Sequence, residues 1–246
     1  MTIPARMMRT GLLVGEQGVQ ALQSSTVMII GVGAVGGYAL EAIARSGVGH
    51  IIVVDFDEFD ETNINRQILA LSSTIGRKKV DVAYERIKEI NPDCVVETMD
   101  LCIDEQNVKN LTFDKVDMVI DAIDTLNAKC SLIEELYQNN IPFISSMGAA
   151  LRTDPSFIKI ASLDKTKNCG LSKILRQRLR HKDIDIKQIK CVYSDEPNNE
   201  QRKIASIDEH GSKDKKTLGS LPTITAIFGL VIANEVIKEL LQKGTK

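Results

Sequence analysis

The chain has 246 residues, 43% of them hydrophobic and 26% charged, and its formal net charge is −2. This length and apolar content suit one α/β domain, and so small a charge gives no general reason to expect a polyanionic partner. Residues 1–11 carry arginines without an apolar run, so no signal peptide is predicted. No stretch of about 18 uncharged apolar residues occurs, so no membrane-spanning helix is predicted. Five irregularly spaced cysteines indicate a cytoplasmic protein in a reducing compartment.

Apolar strands alternate with helical segments over the first 147 residues. The predicted strands cover 26–31, 51–55, 94–99, 116–121 and 142–145. The predicted helices cover 35–46, 79–90, 105–110 and 128–138. Such alternation is typical of a Rossmann-like, doubly wound α/β fold, in which helices cover both faces of a mostly parallel sheet.

The pattern changes after Met147. Segments 156–162 and 190–193 predict further strands that extend the sheet in antiparallel fashion, and 172–181 predicts a helix. The polar stretch 195–216 predicts a mobile loop, and 223–236 a buried C-terminal helix. We therefore interpret residues 1–246 as one domain, with a nucleotide-binding part in 1–147 and a substrate-facing part in 148–246.

A glycine-rich turn follows the first predicted strand. Gly31, Gly33 and Gly36 permit a tight turn, close approach of backbone to phosphate, and close helix packing. The helix that follows offers free N–H groups and a positive dipole end to an anion. Asp55 ends the next strand, where a carboxylate can accept hydrogen bonds from ribose hydroxyls. Alone, this pattern predicts an adenine nucleotide, with NAD as the default.

The residues beyond Asp55 argue against hydride transfer. Basic groups follow at Arg66 and Lys79, and Asp124 follows the predicted strand 116–121. Cleavage of a triphosphate builds charge on phosphoryl oxygens, which Arg or Lys stabilises. None of the three histidines lies in these motifs, which weakens any scheme that needs a histidine acid–base.

These motifs together resemble the E1-like adenylate-forming family, which includes ubiquitin-activating enzymes and bacterial relatives in molybdopterin and thiamine synthesis. The resemblance runs from Arg9 to about Leu241 and implies ATP and Mg as cofactors. It assigns catalytic roles to Arg9, Arg66, Lys79 and Asp124, with Asp124 serving the Mg–ATP. The predicted nucleotide-binding residues are Gly31, Gly33, Gly36, Asp55, Asp57, Asn63, Arg66, Gln67, Lys79 and Asp124.

The cysteines bear on the kind of relative. Many E1-like proteins hold zinc with two Cys-x-x-Cys pairs, but the cysteines here form no such pair, so no structural zinc is predicted. Other relatives form a thioester on a cysteine downstream of the Mg-binding aspartate, and Cys169 lies in that region. We favour its interpretation as an ordinary loop cysteine, and a nucleophile activated by nearby lysines is the alternative.

A local basic patch lies between Lys165 and Lys190, where nine Lys or Arg face only two Asp. A solvated basic helix is the ordinary interpretation, and contact with nucleic-acid phosphates is the alternative. The candidate tRNA contacts on the predicted helix are Lys173, Arg176, Arg178 and Arg180.

Further motifs resemble one branch of the family, the tRNA threonylcarbamoyladenosine dehydratases. They are Arg9-Thr10-x-Leu12-Leu13-x-Gly15, Asn63-Ile64-Asn65-Arg66-Gln67-Ile68, Ile90-Asn91-Pro92 and Val192-Tyr193-Ser194-Asp195-Glu196-Pro197. Ala34 and Cys169-Gly170-Leu171 depart from the pattern of that branch. The resemblance implies ATP-dependent cyclisation of the threonylcarbamoyl group on adenosine 37 of tRNA, through an acyl-adenylate. It also implies a homodimer, and it admits a sulfur-relay protein as a partner.

Two other functions stay open at this point. The first is adenylation of the C-terminal glycine of a ubiquitin-like sulfur-carrier protein, which uses the same half-reaction on a protein carboxylate. The second is a noncatalytic nucleotide-binding subunit completed by a partner, which the joint presence of Arg66, Lys79 and Asp124 disfavours.

Overall fold

The computed structural model describes residues 3–197 and 218–243. Seven strands of this part form one sheet in the order β3-β2-β1-β4-β5-β7-β6. Every neighbouring pair is parallel except β6 and β7, which are antiparallel. The predicted Rossmann-like fold with an antiparallel extension is thus confirmed. The strands are β1 (Thr26–Ile30), β2 (His50–Asp55), β3 (Val95–Asp100), β4 (Met118–Asp121), β5 (Phe143–Ser146), β6 (Ile158–Ser162) and β7 (Lys190–Ser194).

Helices cover both faces of the sheet. They are α1 (Met8–Gln23), α2 (Gly36–Arg45), α3 (Lys79–Ile90), α4 (Leu126–Gln138), α5 (Gly170–Arg180) and α6 (Pro222–Lys243). Strand β1 shows why two layers form. Its side chains alternate between faces, so Val27 and Ile29 join the core under α2 and α6, whereas Met28 and Ile30 join the core under α4.

One predicted helix, over 105–110, was wrong. The structure has only a three-residue 3-10 turn there, Val108–Asn110. Asp104 Oδ1 accepts hydrogen bonds from the backbone N–H groups of Gln106 and Asn107, each at 2.8 Å. Such local bonds from an acidic side chain to the backbone compete with a regular helix.

Helix α1 had no counterpart among the predicted elements. It is bent at Gly15, which has a φ of 74°. The bend brings Gln23 Nε2 to 3.8 Å from Met7 Sδ, although these residues are 16 positions apart. The segment is therefore a helical hairpin rather than one straight rod.

Other expectations have mixed outcomes. The predicted loop 195–216 lies outside the described residues beyond Pro197. The division at residue 147 stays a prediction, and a single sheet runs through both parts. Among the described residues, no helix combines the length and apolarity that membrane crossing requires.

Helix α6 is held close to α2 by the absence of a side chain at Gly229. A Cβ at this position would meet the carbonyl of Val35 and would lie 2.8 Å from Tyr38 Cβ and 2.9 Å from the backbone nitrogen of Ala39. Since α2 begins at the glycine turn, this contact packs α6 against the start of the helix that follows the turn.

We expect Gly229→Ala to lower the free energy of unfolding by about 1–3 kcal/mol, because overpacking forces helices apart. Urea unfolding followed by circular dichroism measures the loss. Asn234→Ala, on the exposed side of the same helix, is the control and should change stability by less than about 0.5 kcal/mol. Equal effects of the two substitutions would contradict the role given to the close contact.

Candidate nucleotide-binding site at the carboxyl edge of the sheet

The glycine turn lies where β1 meets α2. Gly31 has a φ of 89°, and a Cβ there would lie 2.9 Å from the carbonyl oxygen of Ala122. A Cβ on Gly36 would collide with the carbonyl of Gly31. The start of α2 can therefore approach the end of β1 at the carboxyl edge, where the N-terminus of a helix can bind an anion.

Asp55 fixes the shape of this turn. Its side chain is 8% exposed. Oδ2 accepts the N–H of Val32 at 2.7 Å, and Oδ1 accepts the N–H of Asp57 at 2.9 Å. Each carboxylate oxygen keeps further acceptor capacity, so a ribose hydroxyl can still be bound.

The predicted segment of Asn63, Arg66 and Gln67 folds over the turn. Asn63 Oδ1 accepts the N–H of Asp60 at 3.3 Å, which closes a capping box. The buried amide of Gln67 lies 3.8 Å from the place of a Cβ on Gly33. Gln67 Oε1 has no hydrogen-bond partner among the described residues. A buried, unpaired amide oxygen at this point suits contact with a ligand.

Arg66 is half-buried in this segment. Its Nη1 donates to the carbonyl of Thr62 and to Asn65 Oδ1, both at 2.8 Å. No carboxylate lies within ion-pair distance of it among the residues described. The guanidinium therefore keeps its charge available for a phosphate.

Lys79 differs from the two basic residues before it. Its side chain is only 6% exposed, and its ammonium binds Asp57 Oδ2 at 2.9 Å and lies 5.9 Å from the centre of the Phe59 ring. Lys78 instead pairs on the surface with carboxylates, as does Arg77. The structure thus distinguishes Lys79 from its neighbours by burial. It also assigns Asp57, which was predicted to bind nucleotide, a contact with Lys79.

Asp124 lies beside the turn, in the loop between β4 and α4. It is exposed and has no hydrogen bond or ion pair recorded among the described residues. The same part of the chain contains no cluster of three or more His, Cys, Asp or Glu able to hold a metal alone. Mg²⁺ usually binds one or two carboxylates together with substrate phosphates, so a single free carboxylate here fits a metal bound with the nucleotide.

Arg9 is not near the turn of its own chain. It lies on α1, two residues after Met7, which contacts Gly47 just before β2. The neighbouring Arg6 pairs with Asp93, just before β3. These contacts put the start of α1 at the amino edge of the sheet, opposite the glycine turn.

The four candidate tRNA contacts on α5 differ in their environment. Arg176 Nη1 donates to the carbonyl of Thr166 at 2.9 Å and to its hydroxyl, so this guanidinium holds a loop. Arg178 Nη1 donates to Asn127 Oδ1 at 2.6 Å. Lys173, Arg178 and Arg180 are exposed. Of the four, Arg176 is thus the one whose guanidinium is engaged by a loop of the protein itself.

All five cysteines are free, and four of them are buried. Burial raises the pKa of Cys191 to about 12 and that of Cys94 to about 11. Cys169 is only 7% exposed and precedes α5, where its Sγ accepts the N–H of Ser172 at 3.5 Å. Its burial supports the interpretation of Cys169 as a structural residue.

One feature below the site had no prediction. Lys129, on α4, is completely buried and pairs with Asp121. In the sequence, Asp121 is only the last residue of the predicted strand 116–121. The feature of the sequence that could have indicated a buried ion pair is this lysine itself, which lies between Ala128 and Cys130 on an apolar face of the predicted helix.

A comparison of the sequence with protein-family models identifies a matching family. Residues 5–246 match the model of the ThiF family. The chain belongs to the ThiF family.

Close relatives within the ThiF family are similar over nearly their whole length. The tRNA threonylcarbamoyladenosine dehydratase of Bacillus subtilis is 40% identical over 239 residues, covering 95% of this chain and 94% of the relative. The Haemophilus influenzae protein of the same name is 36% identical over 241 residues, covering 95% and 92%. The crystal structure of the Escherichia coli dehydratase in complex with ATP has a TM-score of 0.87 at 32% identity, covering 98% and 95%.

We expect Lys79→Met to lower the turnover of this ThiF-family protein by about 10²–10³-fold, because a charge that stabilises developing phosphate charge is lost. Steady-state release of pyrophosphate is the measurement. Lys78→Met removes the adjacent surface charge, which pairs with Glu58 and Asp100, and should leave turnover within about threefold. Similar losses in both variants would contradict the selection of Lys79.

Proposed function

We propose that this protein is a tRNA threonylcarbamoyladenosine dehydratase, which uses ATP to cyclise the threonylcarbamoyl group of the modified adenosine. The observation that carries the proposal is the nearly full-length similarity to dehydratases of that activity. The geometry supports it, because Arg66, Lys79 and Asp124 lie on segments packed at or next to the glycine turn. This set suits a triphosphate better than NAD.

The reaction begins with activation of a carboxylate. An oxygen of the threonyl carboxylate attacks the α-phosphorus of ATP, and the bond to the bridging oxygen breaks to release pyrophosphate. Arg66 and Lys79 stabilise the charge that builds on the phosphoryl oxygens. Mg²⁺, held by Asp124 and the phosphates, would neutralise part of the same charge.

The second step closes the ring. A nucleophilic atom of the same modification attacks the activated carbonyl, loses its proton, and expels AMP. Both groups belong to one molecule, so the high effective molarity favours closure without an enzyme nucleophile. The buried state of Cys169 agrees with such a step.

Adenylation of a sulfur-carrier protein is the alternative. It would use the same first step, so the nucleotide site alone does not separate the two functions. The similarity to the dehydratases over both halves of the chain favours the tRNA substrate. We further propose that residues 148–246 face the substrate and that the protein acts in the cytoplasm. A sulfur-relay partner stays a prediction.

Arg66→Ala and Asp124→Ala test the proposed function. Both should abolish ATP-dependent cyclisation of modified tRNA while the protein stays folded, and at the exposed Asp124 the stability should change by about 0.5 kcal/mol or less. Mass spectrometry of tRNA nucleosides measures the product. Asp114→Ala, an exposed aspartate before β4, is the control and should retain activity. A folded Arg66 or Asp124 variant with near-normal turnover would refute the assigned role.

We propose that the exposed basic groups of α5 contact tRNA phosphates. Replacement of Lys173 and Arg180 by Glu should weaken tRNA binding and flatten its dependence on salt, because fewer counterions are released. ATP binding should stay unchanged. Filter binding of tRNA over a range of salt concentrations measures the affinity for tRNA and its dependence on salt.

The matched control replaces Lys109 and Lys115 by Glu, which makes the same change in net charge on another surface. Binding by this control should stay close to that of the wild type. If both pairs weaken tRNA binding equally, total charge rather than the surface of α5 explains the affinity.

We also propose a homodimer in which Arg9 serves the site of the partner chain. Leu12 and Leu13 lie on the part of α1 before its bend, as Arg9 does. They are 83% and 87% exposed, so the chain leaves apolar surface next to Arg9. A second copy would cover these leucines. The location of Arg9 at the amino edge requires that any contact with nucleotide be made across such an interface.

Two experiments test the dimer. Leu12→Asp combined with Leu13→Asp should give a monomeric mass in light scattering, whereas the wild type should be dimeric. Mixing inactive Arg9→Ala and Asp124→Ala proteins should restore about one quarter of wild-type activity, since each mixed dimer then has one complete site. No recovery after verified subunit exchange, or full activity of Arg9→Ala alone, would contradict action across the interface.

A further inference from the structure

A charged cluster lies beneath the carboxyl edge, and the proposed chemistry does not use it directly. Lys129, Asp121 and Ser145 are all 0% exposed. Lys129 Nζ donates to Asp121 Oδ2 at 2.7 Å and to Ser145 Oγ at 3.2 Å. Ser145 Oγ in turn donates to Asp121 Oδ2 at 2.6 Å. Each polar group of this cluster therefore has a partner within the protein.

The cluster also contacts the loop that carries Asp124. Asp121 ends β4, and its second oxygen, Oδ1, accepts the N–H of Ile123 at 3.1 Å. Lys129 belongs to the first turns of α4. The ion pair therefore ties the end of the strand to the start of the helix, and the loop with Asp124 is closed at both ends.

Stability alone does not require this arrangement. Apolar side chains of similar volume can replace a buried ion pair at little cost, or even with a gain. Apolar side chains, however, cannot orient a hydrogen-bonding group. The Asp121 carboxylate is oriented by Lys129 and Ser145, and the same carboxylate orients the backbone next to Asp124.

We propose that Lys129 is a positioning residue for the metal-bound nucleotide. Acting through Asp121, it holds the loop so that the Asp124 carboxylate faces the phosphates at the glycine turn. Groups that orient a metal ligand from behind commonly affect metal affinity without touching the metal. The inference rests on the proposed function, because it needs Mg–ATP at this turn.

Calorimetric titration with ATP, in the presence and absence of Mg²⁺, provides the test. In Lys129→Met, the gain in ATP affinity that Mg²⁺ supplies should fall about tenfold or more. Affinity for ATP without Mg²⁺ should stay close to wild type, since the glycine turn is unchanged. In the free protein, hydrogen exchange at the amides of residues 122–125 should become faster.

Two further variants separate positioning from general loss of stability. Ile133→Ala removes a fully buried side chain one turn along α4, so it should lower stability yet keep the Mg²⁺-dependent gain. The pair D121N/K129M removes both charges and leaves no uncompensated carboxylate. The two residues act through one contact. The double variant should therefore lose as much of the Mg²⁺-dependent gain in ATP affinity as K129M does, and no more.

The outcomes distinguish the two proposals. If wild-type protein binds Mg–ATP no better than ATP alone, the proposed metal site itself is wrong. If wild type shows the gain while both folded variants lacking Lys129 keep it and exchange normally, the positioning role is refuted. Loss of the gain in these variants, with its retention in Ile133→Ala, is the result we expect.

Discussion

The close approach of three backbone segments, made possible by glycine, is the constraint on which the site depends. Gly36 has no room for a Cβ against the carbonyl of Gly31, and Gly31 has none against Ala122. The start of α2 can therefore reach the end of β1, and the loop after β4 can lie beside both. A phosphate-binding helix end and a free acid, Asp124, meet at one edge for this reason.

The polar groups at this edge are oriented by contacts within the protein. Asp57 holds Lys79, and carbonyl or amide oxygens hold Arg66. Bound phosphates would replace or add to these partners, so little reorganisation of the cations is needed. Groups that are already oriented stabilise developing charge better than groups that must first be ordered. Asp124 contrasts with them, because it offers a carboxylate that the described residues leave unpaired.

The sequence predicted those parts of the candidate site that are formed by residues close together along the chain. Gly31 and Asp55 belong to a local pattern of strand, turn and helix, and the structure has Gly31 in the turn after β1 and Asp55 at the end of β2. Contacts between distant segments could not be predicted. The location of Arg9 depends on how α1 packs, and the internal use of Arg176 depends on a loop ten residues away. Lys129 meets Asp121 only after β4 and α4 have packed, so its charge had no identifiable partner in the sequence.

Activation of the carboxylate through an acyl-adenylate is tested most directly by following one oxygen atom of that carboxylate. Modified tRNA whose threonyl carboxylate carries ¹⁸O is incubated with the protein and ATP, and the nucleotide products are analysed by mass spectrometry. Attack on the α-phosphorus followed by ring closure transfers one carboxylate oxygen to phosphorus, so AMP should carry one ¹⁸O. Label in inorganic phosphate together with ADP, or unlabelled AMP beside a fully cyclised product, would contradict activation through an acyl-adenylate.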